Sequence, residues 1–422
     1  MAKSDDGNLE LAKSTDYVDQ LNAEFYGKFP YPPPAMKFDC LEDSAFEAAM
    51  LNQELGDWRH RRFPINLRIW VAGCGTNQAV FTALRFQKAT VLGSDLSSES
   101  LEAAERTARA LGISNLELKQ ESINQIAYQG EFDYIVSTGV IHHNADPQTT
   151  LTKIAAALKP QGVLELMVYN QFHWMIPAAF QKAIRTLGGN PLSPSFDWEL
   201  SIAKKIIGEL PIESSIGVAA EYRDFSDEML ADELLQPVLH HFTVESLADM
   251  TQRSGLEMLL PCLSQLDKVE KNFSWDLEFK DKTLSDQYES LQDLRRWQVT
   301  NLLLREKSPK LWFYLQRKDS NYERKTEKEV CEEFLNTKFL PTGTMKRSYL
   351  RNKDGTYRLL PQPLRYPTLP PDESVRKIIE MADGLSTMDE IFQRLGIQTA
   401  FRTVNRARLL LTTPQFPYLK AV

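Results

Sequence analysis

Residues Trp70-Val-Ala-Gly-Cys-Gly-Thr-Asn-Gln78 join an apolar run to a pair of glycines and then to a helix-forming stretch. Leu67–Ala72 is short, apolar and ends in glycine, the pattern of a buried strand. Asn77–Phe86 suits a helix. Gly73 and Gly75 permit the tight turn between the two, and their missing side chains let a ligand approach the backbone.

Working outward, the same alternation repeats. Ala89–Asp95 reads as a second strand, and Ser98–Leu111 as a helix with Ser97 or Ser98 as N-cap. Glu99 and Glu102 sit in its first turn, where the helix dipole favours acids. Leu116–Lys119, Phe132–Ser137 and Gly162–Tyr169 are three further strands. Leu151, Ile154, Ala155 and Leu158 recur at helical spacing, and Lys159-Pro-Gln-Gly162 stops that helix. Strands and helices in such strict alternation predict an α/β fold, a Rossmann-like doubly wound and mostly parallel sheet covered on both faces.

In such folds the ligand lies beyond the carboxyl ends of the strands. Asp95 ends the second strand, 20 residues past Gly75, where an acidic residue accepts hydrogen bonds from ribose hydroxyls. A dinucleotide fingerprint needs a third glycine where this chain has Gln78, which argues against NAD. No Gly-x-x-x-x-Gly-Lys-Ser run is present, so a triphosphate loop is also disfavoured.

The rest of the chain is organised around this unit. Residues 1–62 read as an N-terminal cap: a polar leader, a helix around Tyr17–Phe25, the Phe29-Pro-Tyr-Pro-Pro-Pro34 segment and a second helix over Phe38–Leu51. Prolines that lack a donor exclude Phe29–Pro34 from a central strand or helix interior, so it runs extended and packs flat over something. Residues 63–318 read as one domain that holds a helical insertion at 171–240. After the insertion come a helix over Phe242–Ser254 capped by Thr243, a strand at Leu256–Leu260, a charged helical stretch at Ser285–Arg305 and a strand at Leu311–Gln316. Residues 319–422 read as a polar, irregular linker to 365 followed by a small domain with helices at Ser374–Met381 and Thr387–Leu395.

Composition removes several classes. Of 422 residues, 42% are hydrophobic and 25% charged, which excludes wholesale disorder and fibrous repeats. A formal charge of −8 opposes a surface built to coat nucleic acid. Cys40, Cys74, Cys262 and Cys331 lie far apart with no CxxC pair, so neither a metal centre nor a disulfide framework is expected. Cys74, within the glycine turn, reads as a small buried filler. No stretch of about 18 uninterrupted apolar residues marks a membrane span. The N-terminus lacks the apolar core of a signal peptide, so a cytoplasmic protein is expected.

The series VAGCGTNQ, GSDLS, QES and FDYIVSTGVIHH resembles the class I S-adenosylmethionine-dependent methyltransferases, clearly over residues 65–170 and more loosely over 240–318. The resemblance implies S-adenosyl-L-methionine as cofactor and specific roles for matching residues. Gly73 and Gly75 would face its amino-acid part, Asp95 would hold the ribose, and Leu96 would pack on the adenine. Glu121 or Ser122 would approach the adenine amino group, and Ser137 to Gly139 would floor the methionine moiety. Asn77 stands where many members keep a further glycine. Asparagine tolerates left-handed backbone angles, so the loop is expected to survive with an added contact to the cofactor.

The acceptor side is less defined. His142 and His143 have two readings, as a general base for the nucleophile or as a brace for their loop. Tyr169 and Asn170, at the end of the fifth strand, are placed to touch a substrate, as is Tyr31 of the proline segment. Tyr31, Phe172, Trp174 and Trp198 are candidates for an apolar pocket under the cap and insertion, or for core. Lys338–Arg365 holds seven Lys and Arg against Asp354 alone, a net +6, with Phe339, Tyr349 and Tyr357 interleaved. That is either a solvated linker or a surface for single-stranded RNA. The pair of helices near Leu385–Phe392 faintly resembles peptide-binding winged-helix modules. The expected function is methyl transfer by direct displacement to an O, N or C nucleophile of a small-molecule acceptor. The alternatives are a cofactor-binding scaffold without turnover and an RNA methyltransferase.

Overall fold

Seven strands form the central sheet. In spatial order they are Leu116–Gln120 (β4), Thr90–Asp95 (β3), Arg68–Ala72 (β2), Phe132–Thr138 (β5), Leu158–Val168 (β6), Leu311–Arg317 (β10) and Leu256–Pro261 (β7). The computed structural model describes residues 14–188, 195–209, 222–262, 266–267, 272–273, 275–304, 310–414 and 416–422. The polar leader, and parts of the insertion at 189–194 and 210–221, fall outside these. The first five strands pair in parallel, whereas β10 runs antiparallel to both β6 and β7. In register, Ile69 lies opposite Val91 and Tyr134.

Alternation along β2 sends its side chains into two cores. Ile69 and Val71 join Ala79, Ala83, Val91 and Leu101 on one face. Trp70 and Ala72 join Ile135, Leu151, Ile154, Leu164 and Leu247 on the other. Both faces are therefore apolar and covered, as a parallel sheet requires. Helices Gln78–Arg85 (α3) and Ser98–Leu111 (α4) cover the first strands, with the Ser97 hydroxyl accepting from the Ser100 N–H as N-cap and Gly112 ending α4 in the left-handed region. Pro147–Ala157 (α5) starts on the Asp146 carboxylate and Val244–Arg253 (α9) on a Thr243 capping box. Leu266–Asp267 (β8) and Asn272–Phe273 (β9) form a short ladder, and Lys282–Ser290 (α10) and Asp293–Leu303 (α11) lead to β10.

The N-terminal helix Thr15–Lys28 (α1) packs on the insertion helices Gln171–Thr186 (α6), Phe196–Glu209 (α7) and Asp227–Leu234 (α8). Leu21, Phe25 and Phe29 share one core with Phe180, Ile184, Phe196, Leu200, Leu230 and Leu234. Cap and insertion are thus one layer over the carboxyl ends of the strands.

Two expectations are corrected. Phe38–Leu51 is not one helix: Lys37–Leu41 is a strand (β1), followed by the helix Phe46–Glu54 (α2). The partner of β1 is Thr344–Arg351 (β12), with Phe38 opposite Tyr349, so the pairing that makes it a strand lies about 300 residues away. Residues 319–365 are likewise not an irregular linker. They hold a helix, Glu327–Leu335 (α12), and strands Phe339–Pro341 (β11), β12, Tyr357–Leu359 (β13) and Leu364–Tyr366 (β14). Beyond them lie the two expected helices, Glu373–Met381 (α13) and Met388–Leu395 (α14), and a third, Phe401–Thr412 (α15), with short strands Phe416–Pro417 (β15) and Leu419–Ala421 (β16). Val330, Phe334, Phe392 and Leu411 belong to the same apolar cluster as Leu67 and Ile69 of the sheet.

Candidate active site

The carboxyl ends of β2 and β3 meet at one carboxylate. The Gly75 N–H donates to Asp95 Oδ2 at 2.8 Å, and the Ser97 N–H donates to Oδ1 at 2.9 Å. Burial pushes the Asp95 carboxyl up from its ordinary value, while these main-chain donors oppose that shift. Gly73 and Gly75 have φ of +69° and +49°, which side chains rarely adopt. A Cβ on Gly73 would lie 2.6 Å from Val140, and one on Gly75 would lie 2.5 Å from the Tyr31 carbonyl oxygen.

That second approach shows what the proline segment packs over. The Thr76 N–H donates to the Tyr31 carbonyl at 3.3 Å, the Thr76 hydroxyl to the Pro32 carbonyl at 2.5 Å, and Asn77 Nδ2 to the Pro33 carbonyl at 2.9 Å. Phe29–Pro34 is a strap tied across the glycine turn. Asn77 has φ of −130°, so it is not left-handed; its amide anchors the strap.

Beneath the strap is a cavity of about 450 Å³, within the range of roughly 300–1,000 Å³ usual for small-molecule sites. The structure brings Gly73, Gly75, Asn77, Asp95, Leu96, Glu121, Ser122, Gly139, His143, Tyr169 and Tyr31 to its wall. Phe81, Leu96 and Ile123 give the end beside Asp95 an apolar lining. Glu121 accepts from the Tyr128 hydroxyl at 2.7 Å and pairs with Lys119. The Ser122 hydroxyl is bonded to Asp19 of α1, whose other oxygen accepts from Asn124.

Three expected site residues lie behind the wall. Ser137 is fully buried, with Thr138 and Gly139 taking the lining positions. His142 is 0% exposed, its ring 3.7 Å from that of Tyr169, and desolvation holds it neutral far below its ordinary pKa. Asn170 is 1% exposed and its Oδ1 accepts from the Phe172 N–H, so it caps α6 instead of meeting a substrate. His143 differs from its neighbour. Its Nδ1 lies 2.9 Å from the Val238 carbonyl, which only accepts, so Nδ1 carries the proton and Nε2 keeps its lone pair. Burial lowers its pKa to about 4.

Of the proposed aromatic lining, Tyr31 and Trp174 reach the cavity, whereas Trp198 packs into the cap core. Tyr169 stacks on Trp174 at 3.7 Å and accepts from Gln236 Nε2 at 3.1 Å. Sequence reading missed Asn22, Tyr26, Asp232, Glu233 and Lys310, which also line the cavity. Asn22 Nδ2 donates to the His143 carbonyl, and the Tyr26 hydroxyl donates to Asp232 Oδ1 at 3.3 Å. These come from α1, α8 and the start of β10, and no motif links segments so far apart. No residue of 338–365 lines the cavity, and Lys346 and Arg347 are paired with Asp39 and Glu42. Among the described residues no helix is long and apolar enough to cross a membrane, and no His, Cys, Asp or Glu group is arranged to hold a metal.

A glycine turn and an acidic strand end thus open on one cavity of an α/β domain. Residues 66–187 match the family model described as a methyltransferase domain. An uncharacterised protein of Synechococcus is 29% identical over 310 residues, which cover 69% of this chain and 70% of that one. A ubiquinone biosynthesis O-methyltransferase of Chelativorans is 34% identical over 106 residues, 25% of this chain and 41% of its own, so the chain spans well under half of that relative. The structure of PKMT2 from Rickettsia typhi in complex with AdoHcy superposes with a TM-score of 0.55 at 16% identity, over 93% of this chain and 77% of that one, which shows a shared fold. The methyltransferase-domain match and the shared fold support a class I S-adenosylmethionine-dependent methyltransferase, with S-adenosylmethionine as cofactor.

Proposed function

We propose that the cavity under the strap transfers a methyl group from S-adenosylmethionine to a small-molecule acceptor. The Gly75–Asp95 hydrogen bond at the mouth of the cavity carries this reading. It fixes a carboxylate whose remaining lone pairs accept two neighbouring ribose hydroxyls. The left-handed Gly73 and Gly75 leave room beside it for the amino-acid part, and Leu96, Phe81 and Ile123 receive the adenine. When bound, the cofactor supplies a methyl group on a positively charged sulfur. The chain's own work is then to align an acceptor with that methyl and exclude water, which supplies much of the rate of a displacement. Asn22, the Phe29–Pro34 strap and Trp174 close the cavity over the reacting atoms. His143 lines the wall as a neutral imidazole in a defined tautomer, with its Nε2 buried.

Titration calorimetry of the purified protein with S-adenosylhomocysteine, and in parallel with NAD, tests the reading. Micromolar binding of the first without the second is expected. Binding of NAD alone would overturn it.

A further inference from the structure

Another part of the cavity wall carries its own charge pattern. Asp232 of α8 is 8% exposed, and its Oδ1 takes both of its hydrogen bonds, from the Tyr26 hydroxyl at 3.3 Å and Gln236 Nε2 at 3.4 Å. Oδ2 has no protein donor among the described residues. Glu233 lines the cavity beside it. Tyr26, Tyr31, Tyr169 and Trp174 surround this acidic corner with aromatic rings. Lys310 is the one Lys or Arg on the described wall, against Asp95, Glu121, Asp232 and Glu233.

Tyr31 measures how close this corner is to the cofactor end. Its carbonyl sits on the glycine turn, and its phenol feels the charges of Asp232 and Glu233. Tyr31 therefore touches the glycine turn with its carbonyl and faces the acidic corner with its ring.

Resting on the methyltransferase reading, we infer that the acceptor is an amine, held as its ammonium by Asp232 and the surrounding rings and deprotonated by Asp232. A buried carboxylate in a ring of aromatic faces binds a cation by charge and by cation–π attraction. Asp232 and Glu233 outnumber Lys310 there, which disfavours a carboxylate or phosphate acceptor, and a phenol would gain nothing from the rings' affinity for cations. An ammonium cannot attack because it has no lone pair, so the site must also remove a proton. Burial raises the Asp232 carboxyl to about 7, which makes it a better proton acceptor than an exposed carboxylate. The ammonium proton passes to Asp232 Oδ2, and the freed nitrogen lone pair forms the carbon–nitrogen bond. The carbon–sulfur bond of the methyl donor breaks with its electron pair on sulfur.

The test uses the whole chain saturated with S-adenosylhomocysteine and four calorimetric probes: n-butylammonium, n-butanol, butyrate and an oligolysine peptide. The expected result is that n-butylammonium binds at least about tenfold more tightly than butanol or butyrate, and that Asp232→Asn removes this preference. Asparagine keeps the shape and still accepts from Tyr26 and Gln236. Should that variant not fold, Tyr26→Phe, which keeps the ring, is expected to weaken the amine by a smaller factor. Oligolysine binding as tightly as n-butylammonium places the amine on a peptide side chain; its exclusion places it on a free small molecule. Equal binding of amine, alcohol and carboxylate, or an unchanged preference in the variant, would overturn the inference. Failure of S-adenosylhomocysteine to bind at the outset would instead count against the methyltransferase reading.

Discussion

The main-chain N–H of Gly75 donates to the side chain of Asp95 across 2.8 Å, tying the turn after one strand to the end of its parallel neighbour. The carboxylate thus has two duties, holding the turn and facing the ligand. Removing it in Asp95→Ala is expected to weaken S-adenosylhomocysteine binding by at least about tenfold, since hydrogen bonds to charged groups contribute about 1.5–3 kcal/mol. Calorimetry on the variant reads this directly, and unchanged affinity would remove Asp95 from the ribose.

Gly75→Ala places a methyl 2.5 Å from the Tyr31 carbonyl, at a backbone φ of +49°. A left-handed non-glycine residue costs about 1–2 kcal/mol, and the strap must also move. Urea unfolding is expected to show at least that loss. A larger proportional loss of cofactor affinity than in Gly112→Ala, whose added Cβ meets nothing within 4 Å, would separate the strap's displacement from backbone strain alone.

Asn77→Ala isolates the strap. The side chain makes no capping bond to α3, so the substitution removes only its 2.9 Å contact with the Pro33 carbonyl. A loss of about 1 kcal/mol is expected. Limited proteolysis within residues 29–36 should accelerate in the variant and slow again when S-adenosylhomocysteine is bound, because a ligand under the strap favours its closed position.

Legibility followed the range of the interactions. Strands β2, β3, β5 and β6 were readable because each holds a local apolar run, and Gly73, Gly75 and Asp95 because their spacing is set by one strand–helix–strand unit. Phe38 was misread because the strand it belongs to is created by Tyr349, far along the chain. Helix α15 was missed because its N-cap position holds Ala400, which has no side-chain cap to announce the helix. Asp232 was invisible for a related reason: an acid on a short amphipathic helix has no unusual sequence surroundings, and only the packing of α8 against α1 turns it toward the cavity. Asn170 shows the opposite case, a polar residue at a strand end whose side chain is spent on starting the next helix.

Asp232 also makes a prediction about stability. Its carboxyl is raised from 3.8 to about 7, first by burial and then by Glu233, against hydrogen bonds from Gln236 and Tyr26 and the nearby Lys310. Tyr31 and Tyr169 face it as well, both held protonated. Below about pH 4 the group carries its proton whether the chain is folded or unfolded, and its full contribution is present. As pH rises from about 4 to about 7 the unfolded chain releases the proton first, so stability falls through that window. Three decades at about 1.4 kcal/mol each bound the loss at about 4 kcal/mol. His143 has the opposite sign: lowered to about 4, its contribution is complete above its ordinary 6.5 and is lost as pH falls toward 4. The two overlap below pH 6.5, so the raw profile cannot assign either. Comparison with Asp232→Asn does, because asparagine does not titrate: unfolding midpoints at pH 5 and pH 8 should differ less in the variant than in the parent, by at least about 1 kcal/mol. An identical pH dependence in both would mean that Asp232 ionises in the folded chain as it does in water.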